Sequence, residues 1–203
     1  MATDSGDDIK TTILEHARAL LAESGVDGFS VREVARRAGI RVSTLQYHYK
    51  SRDQLVEACL DEIYGWLSQL GERLKDESMA NLDHPTTIAW AVREGYRFAR
   101  RNRPVVRLME KSITDTGGLN ARRRAQMRSS LMTGLANWLA PQSTHSQNEL
   151  MLRVQSVIML IGQYAILDDD NLLDISEATA IDDAEQVVAD HLVGVATNLV
   201  CSG

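Results

Sequence analysis

Proline and cysteine are scarce in this 203-residue sequence, with three of the former and two of the latter. Together with 13 glycines, that is too few for a loop-rich all-β chain or a disordered one. Cys59 and Cys201 stand far apart with no C-x-x-C spacing, which excludes a disulfide framework and a zinc site of the usual pattern. Apolar runs are short. The longest, residues 157–167, covers 11 positions and contains Gln163, against the roughly 18–20 residues a membrane helix needs. The opening MATDSGDD has neither the basic start nor the apolar stretch of a signal peptide. A reduced, cytoplasmic protein without membrane contact is expected. His16, His48, His84, His145 and His191 show no H-x-x-x-H or paired-carboxylate spacing, and no Ser-His-Asp or glycine-loop signature appears. The expectation is therefore no enzyme, no metal and no cofactor.

Hydrophobic residues make up 44% of the chain and charged residues 25%, enough apolar side chains for a sizeable core. The net charge of −6 argues against nucleic acid until its distribution is considered. Residues 32–52 carry six cations against one acid, a net of +5, and residues 93–128 carry eleven against three, a net of +8. From residue 129 onward one base faces ten acids. The chain is polarised into two basic blocks and an acidic final third.

Helical periodicity runs almost throughout. Ile9, Ile13, Ala17, Leu20 and Leu21 define a first helix that meets Gly25, a natural left-handed cap. After a turn at Asp27 and Gly28, Ser30 and Glu33 have the order of a capping box. The helix they open carries Val31, Val34, Ala35 and Ala38 on one face and ends at Gly39. A second short helix starts near Val42, with Val42 and Leu45 available to pack inward. Ser51 and Gln54 mark the start of a long amphipathic helix through Leu55, Cys59, Ile63, Trp66 and Leu70. Further helices are predicted over 85–101, 104–113, 119–139, 148–167 and 183–200, with breaks at 114–118, 141–146 and 168–179. The fold class is all-α: a small N-terminal three-helix unit joined by a long helix to a larger helical body.

Two short helices around a glycine turn, the second exposing polar groups, form a helix-turn-helix pattern, whose second helix can enter a DNA major groove. The outward set is Ser43, Thr44, Gln46, Tyr47 and His48, flanked by Arg41, Lys50 and Arg52. Glutamine can pair with adenine and a threonine methyl can touch the thymine methyl, while cations and a tyrosine hydroxyl suit phosphate oxygens. Composition alone leaves a solvated, charged helical hairpin as an even alternative. The order of residues decides between them. The stretch Ile13-Leu-x-x-Ala17 … Gly25 … Ser30-Val-Arg-Glu-Val-Ala35-Arg-Arg-Ala-Gly39-Ile-Arg-Val-Ser-Thr44-Leu-Gln-Tyr-His-Tyr49-Lys-Ser-Arg-Asp-Gln-Leu55 closely resembles the DNA-binding domain of TetR-family transcriptional regulators.

That resemblance covers residues 7–67, with the motif at 30–49, and implies an effector-binding and dimerisation domain over 77–203. It implies that Arg32 reaches a base edge or phosphate, that Val42, Ser43, Thr44 and Gln46 face the groove, and that Tyr47, His48 and Arg52 contact the backbone. Leu45 and Tyr49 match core positions. Arg41 stands where the family often has a Ser or Thr cap, forfeiting about 1 kcal/mol. Gln46 replaces a frequent aromatic, so base preference does not carry over. The acidic Asp4, Asp7 and Asp8 leave no basic arm for the minor groove.

The implied function is a repressor, acting as a homodimer on a palindromic double-stranded operator and released by a small-molecule effector of unknown identity. A structural nucleoid or division protein with the same reader is the alternative. Apolar stripes through Leu150, Val154, Val157, Ile158 and Ile161 and through Ala184, Val188, His191, Leu192, Val195 and Leu199 suit a dimer interface or a monomeric core. Val154, Val157, Ile161, Val188, Leu192 and Val195 are the interface candidates. Trp66, Trp90, Tyr96, Met109, Met127, Trp138, Met159 and Tyr164 are large, adaptable side chains that suit a pocket wall. Tyr96 and Arg100 share a helix face that offers a hydroxyl and a guanidinium to a carboxylate, if that face turns inward. The basic residues Arg93, Arg97, Arg100, Arg101, Arg103, Arg107 and Lys111 have three readings: solvated or ion-paired cations, a ring for an anionic effector, or an extra DNA contact.

Overall fold

A computed structural model describes residues 4–25, 28–73 and 83–201. Asp27 and residue 77, where the larger body is expected to begin, lie outside them. The described residues form α-helices and short helical turns, with no strand among them. In chain order these are α1 (Asp4–Ser24), α2 (Val31–Arg37), α3 (Val42–His48), α4 (Arg52–Arg73), α5 (His84–Arg101), α6 (Arg103–Thr116), α7 (Ala121–Met127), α8 (Thr133–Leu139), α9 (Gln147–Ala165), α10 (Asp169–Ser176) and α11 (Ile181–Cys201). No single helix among them is long and apolar enough to cross a membrane.

The chain divides into two compact units. The first is Met1–Ile63 with Asn102–Asp115, so α6 groups with the N-terminal helices. Its core is built from the periodic residues of α1 to α4: Ile13, Ala17, Leu20 and Leu21 meet Val34, Ala35, Leu45, Leu55 and Cys59, all buried. Burial pushes the Cys59 thiol up to about 12, so it packs as a small apolar group and is not nucleophilic. α2 ends in a Schellman motif: the Gly39 amide donates to the Arg36 carbonyl and the Ile40 amide to the Ala35 carbonyl. Gly39 takes φ +66°, a conformation that costs other residues about 1–2 kcal/mol. This turn sets the angle between α2 and α3.

Two start signals behave differently. At α4 the Ser51 hydroxyl accepts from the Gln54 amide, and the Gln54 side chain reaches back to accept from the amide of Lys50, one residue before the cap, a displaced form of the capping box. At α2 the expected box does not form. Ser30 sits at the cap position without a side-chain hydrogen bond, and the Glu33 carboxylate, the other half of the box, turns instead to Arg36 and Arg37.

The second unit is Tyr64–Arg101 with Thr116–Gly203. Here α5, α9 and α11 pack on one another, with α8 against α9 and α10 against α11. Ile88, Val92, Tyr96 and Ala99 of α5 and Ala184, Val188, Leu192 and Ala196 of α11 are buried. α5 and α9 are in ordinary packing contact at Gly95, where a Cβ would lie 3.6 Å from Ile161 Cδ1. Two expectations need correction. The single helix over 119–139 is divided by a π-helical turn, Arg128–Met132. The supposed break over 168–179 contains α10, capped by the Asp168 side chain accepting from the Asn171 amide and anchored by buried Leu172. Its acids mask one inward leucine, which is why it lacks an apolar stripe.

Candidate nucleic-acid interface

The second motif helix, α3, is seven residues long and two-faced. Leu45 is buried completely and Tyr49, at its C-terminal cap, is buried as well. These two fasten α3 inward. Ser43, Gln46, Tyr47 and Lys50, spaced i, i+3, i+4 and i+7, are all exposed, with Tyr47 74% accessible. Val42, Thr44 and His48 lie between these faces and are half-buried. The Lys50 ammonium sits 5.5 Å from the centre of the Tyr47 ring, and the His48 ring meets Tyr47 edge-on at 5.2 Å. Tyr47 is thus flanked on its open side by donors suited to phosphate oxygens.

Arg41 occupies the N-cap of α3 with extended backbone angles and no side-chain cap. Its side chain is exposed, as is that of Arg32 on α2. The first two amides of α3 are therefore left without a side-chain acceptor from Arg41, beside a positive charge. Both features favour an approaching anion.

Not all cations of the basic block are directed outward. Arg37 grips both oxygens of Glu23 on α1 at 2.7 Å, and its Nε donates to Glu33 at 2.9 Å. Arg36 makes a second two-pronged contact with Glu33. The two guanidiniums hold the Glu33 carboxyl down at about 2, so the network stays ionised. It ties α2 to α1 across 14 residues of sequence, a pairing without a local signal. Arg52 is half-buried; its Nε donates to the Phe29 carbonyl at 3.3 Å and its guanidinium lies over the Phe29 ring. It anchors the start of α4 to Phe29, two residues before α2 begins. Arg36 is exposed although paired with Glu33, and Arg32, Arg41 and Lys50 are the exposed cations outside that network.

The other candidate sets are dispersed. Arg100 is neither solvated nor open to a ligand: its side chain is 7% exposed and bonded to Glu185, Asp169 and the Ala165 and Leu167 carbonyls. With Arg93 on Asp190 and Arg97 on Glu94, these α5 arginines are ion-paired, and two of them neutralise the acidic final third. Tyr96 is buried beside Arg100 and its hydroxyl lacks a hydrogen-bond partner. Burial pushes that phenol up to about 12, so it is neutral. Met127 is buried, Trp66 and Tyr164 are half-buried, and Met109 is half-buried on α6 in the first unit. Met159 is 61% exposed, so it lines no interior wall of its own chain.

Of the interface candidates, Val154, Val188 and Leu192 are buried within the chain's own core and are not available to a partner. Val157, Ile161 and Val195 are half-buried. The exposed apolar side chains of these helices are Leu152, Met159 and Val187, which the periodicity did not single out because they interrupt the polar face rather than extend the apolar one.

Comparison with known proteins places these features in context. Residues 13–59 match the model for bacterial regulatory proteins, tetR family. The chain is similar to the HTH-type transcriptional repressor KstR2 of Mycolicibacterium smegmatis, at 30% identity over 39% of this chain and 38% of that protein. It is also similar to the HTH-type transcriptional regulator Mb1846 of Mycobacterium bovis, at 33% identity over 47% of this chain and 44% of that one. These alignments span less than half the length of either relative. The fold as a whole resembles the crystal structure of a transcriptional regulator from Rhodococcus sp. Rha1, with a TM-score of 0.69, 19% identity, and 96% and 98% of the two chains covered.

Proposed function

This chain belongs to the TetR family of bacterial regulatory proteins, and from that premise we propose that it is a homodimeric, operator-binding transcriptional repressor released by a small molecule. The observation that carries the reading is the outward face of α3. Ser43, Gln46, Tyr47 and Lys50 are held clear of the protein by buried Leu45 and Tyr49. That is the arrangement a recognition helix needs to enter a major groove. Gln46 supplies paired hydrogen bonds to a base edge, and Arg32, Arg41, Tyr47 and Lys50 contact phosphates. Two such helices, about 34–36 Å apart, read the halves of a palindromic site.

The partner surface in this reading is the exposed side of α9 and α11. Leu152 and Met159 are two helical turns apart on α9, and Val187 and Gly194 are similarly spaced on α11. Large apolar side chains in that position are stabilised by a second copy of the same face. Release requires an effector that binds better to the DNA-incompetent state than to the competent one. The proposal assigns the chain no catalytic reaction.

Selection from a randomised duplex library tests the reader. Wild type is expected to enrich a two-fold symmetric site with binding that falls steeply as salt rises. Gln46→Ala is expected to relax preference at one base pair per half-site, by about 1–3 kcal/mol of discrimination. An unchanged profile for that variant, or no enriched sequence at all, refutes the assignment.

A further inference from the structure

Arg36 and Arg37 are neighbours on α2, and each donates from Nε to the Glu33 carboxylate. They differ at the far edge of the guanidinium. An arginine can form two kinds of parallel pair with an oxyanion: side-on, through Nε and one terminal nitrogen, or end-on, through both terminal nitrogens. In Arg37 the end-on pair is taken, since Nη1 and Nη2 each donate to a Glu23 oxygen at 2.7 Å. Arg37 therefore lies between two anions.

Arg36 repeats the first half of this arrangement without the second. Its Nε donates to Glu33 Oε2 at 2.8 Å and its Nη2 to Oε1 at 2.6 Å, which fixes the plane of the guanidinium. The end-on edge, formed by Nη1 and the second Nη2 hydrogen, meets no acceptor among the described residues, and the side chain is 70% exposed. Where Arg37 finds Glu23, Arg36 opens to solvent.

The position of that edge indicates which anion it fits. Arg36 follows exposed Arg32 by four residues, roughly 40° around α2, so the two share a face. The opposite side of α2 carries buried Val34 and Ala35. In a helix-turn-helix unit the first helix crosses the phosphate backbone while the second enters the groove. A single exposed side chain holds a free anion poorly, whereas a duplex docked through α3 brings its phosphates to α2 already in place. The charges of Glu23, Glu33, Arg36 and Arg37 cancel, so such a contact depends on the shape of the donor pair as well as on charge.

Resting on the operator-binding reading above, we infer that Arg36 is a further DNA-contacting residue, whose end-on pair takes a backbone phosphate as that of Arg37 takes Glu23. The contact sets the register of α2 on the duplex and is indifferent to base sequence.

Fluorescence anisotropy of a labelled duplex across a salt series tests this, with one duplex from the randomised selection and one scrambled. Arg36→Gln is expected to weaken both alike, about tenfold at moderate salt. Its log–log salt slope is expected to be shallower by about one per reader, or about two for a dimer. Arg36→Lys keeps the charge but not the paired donors, and is expected to keep the slope while losing affinity several-fold. Arg97→Gln is the control for net charge: it removes an ion-paired, 52% exposed cation from α5 and is expected to leave the slope unchanged. All three variants are expected to melt close to wild type, since Arg37 still ties α2 to Glu23. Should Arg36→Gln melt early, Arg36→Lys alone decides. An unchanged slope in Arg36→Gln, an equal change in Arg97→Gln, or full affinity in Arg36→Lys overturns the inference. A loss confined to the selected duplex does the same. Wild type that binds no duplex removes the repressor reading instead, whereas wild-type binding that Arg36→Gln leaves intact removes only this contact.

Discussion

Replacing Arg100 with alanine tests how the second unit is held together. Arg100 joins four elements: its Nε donates to Glu185 of α11 at 2.8 Å and one terminal nitrogen to Asp169 of α10 at 3.0 Å. The other terminal nitrogen donates to the Leu167 carbonyl at 2.7 Å and the Ala165 carbonyl at 3.3 Å, where α9 ends. Breaking a buried pair by removing one partner costs about 3–5 kcal/mol, because the remaining charge is left uncompensated. Here the orphaned carboxylates are not fully buried: the Glu185 and Asp169 side chains are 35% and 58% exposed. Water can hydrate them, which brings the expected loss down to about 2–3 kcal/mol. For a chain of this size that lowers the melting temperature of the second unit by roughly 5–10 °C. Arg93→Ala is the control. Its partner Asp190 is 51% exposed and Arg93 itself 35%, so about 0.5 kcal/mol is expected. Circular dichroism melts of both variants at neutral pH measure the difference. Equal losses would refute the claim that the Arg100 contacts are a buried node rather than a surface pair. So would a carboxylate ligand that restores the Arg100→Ala melt, because the cation would then have been a ligand contact.

Two further outcomes follow from the packing. Met159→Lys with Val187→Lys is expected to give a folded monomer by light scattering with an unchanged far-ultraviolet spectrum, whereas Leu192→Glu, in the core, is expected to unfold the second unit; a dimeric double variant places the partner surface elsewhere. Burial lowers the His84 imidazole below its ordinary value near 6.5, so the folded state binds fewer protons than the unfolded one at mildly acid pH. Stability from this group is complete above about pH 6.5 and is lost as pH falls below it. The melting temperature is expected to fall less between pH 7.5 and 5 in His84→Gln than in wild type, and parallel profiles would rule the residue out.

The motif helices were legible because their signals are local. Gly39 terminates α2 through its own backbone freedom, Leu45 and Tyr49 face inward by helical spacing, and Ser51 with Gln54 caps α4 within one turn. Residue order alone therefore located the two motif helices and the side chains that α3 turns outward. α10 was missed since one buried leucine among acids makes no stripe, and the Ser30 box failed because Glu33 had two guanidiniums to choose over a backbone amide. Which apolar stripe is core and which is surface could not be read from periodicity. Val154, Val188 and Leu192 satisfy the same pattern whether they face their own chain or another. Arg100 posed the same ambiguity, since its role depends on Glu185, 85 residues later, and on the end of α9. Long-range partners are a property of packing. The amino-acid order by itself determined most of the helices, the glycine turn and the outward face of α3; only the tertiary structure decided where α10 lies, which cations were already paired, which apolar residues remained exposed, and where a buried hydroxyl was left without a partner.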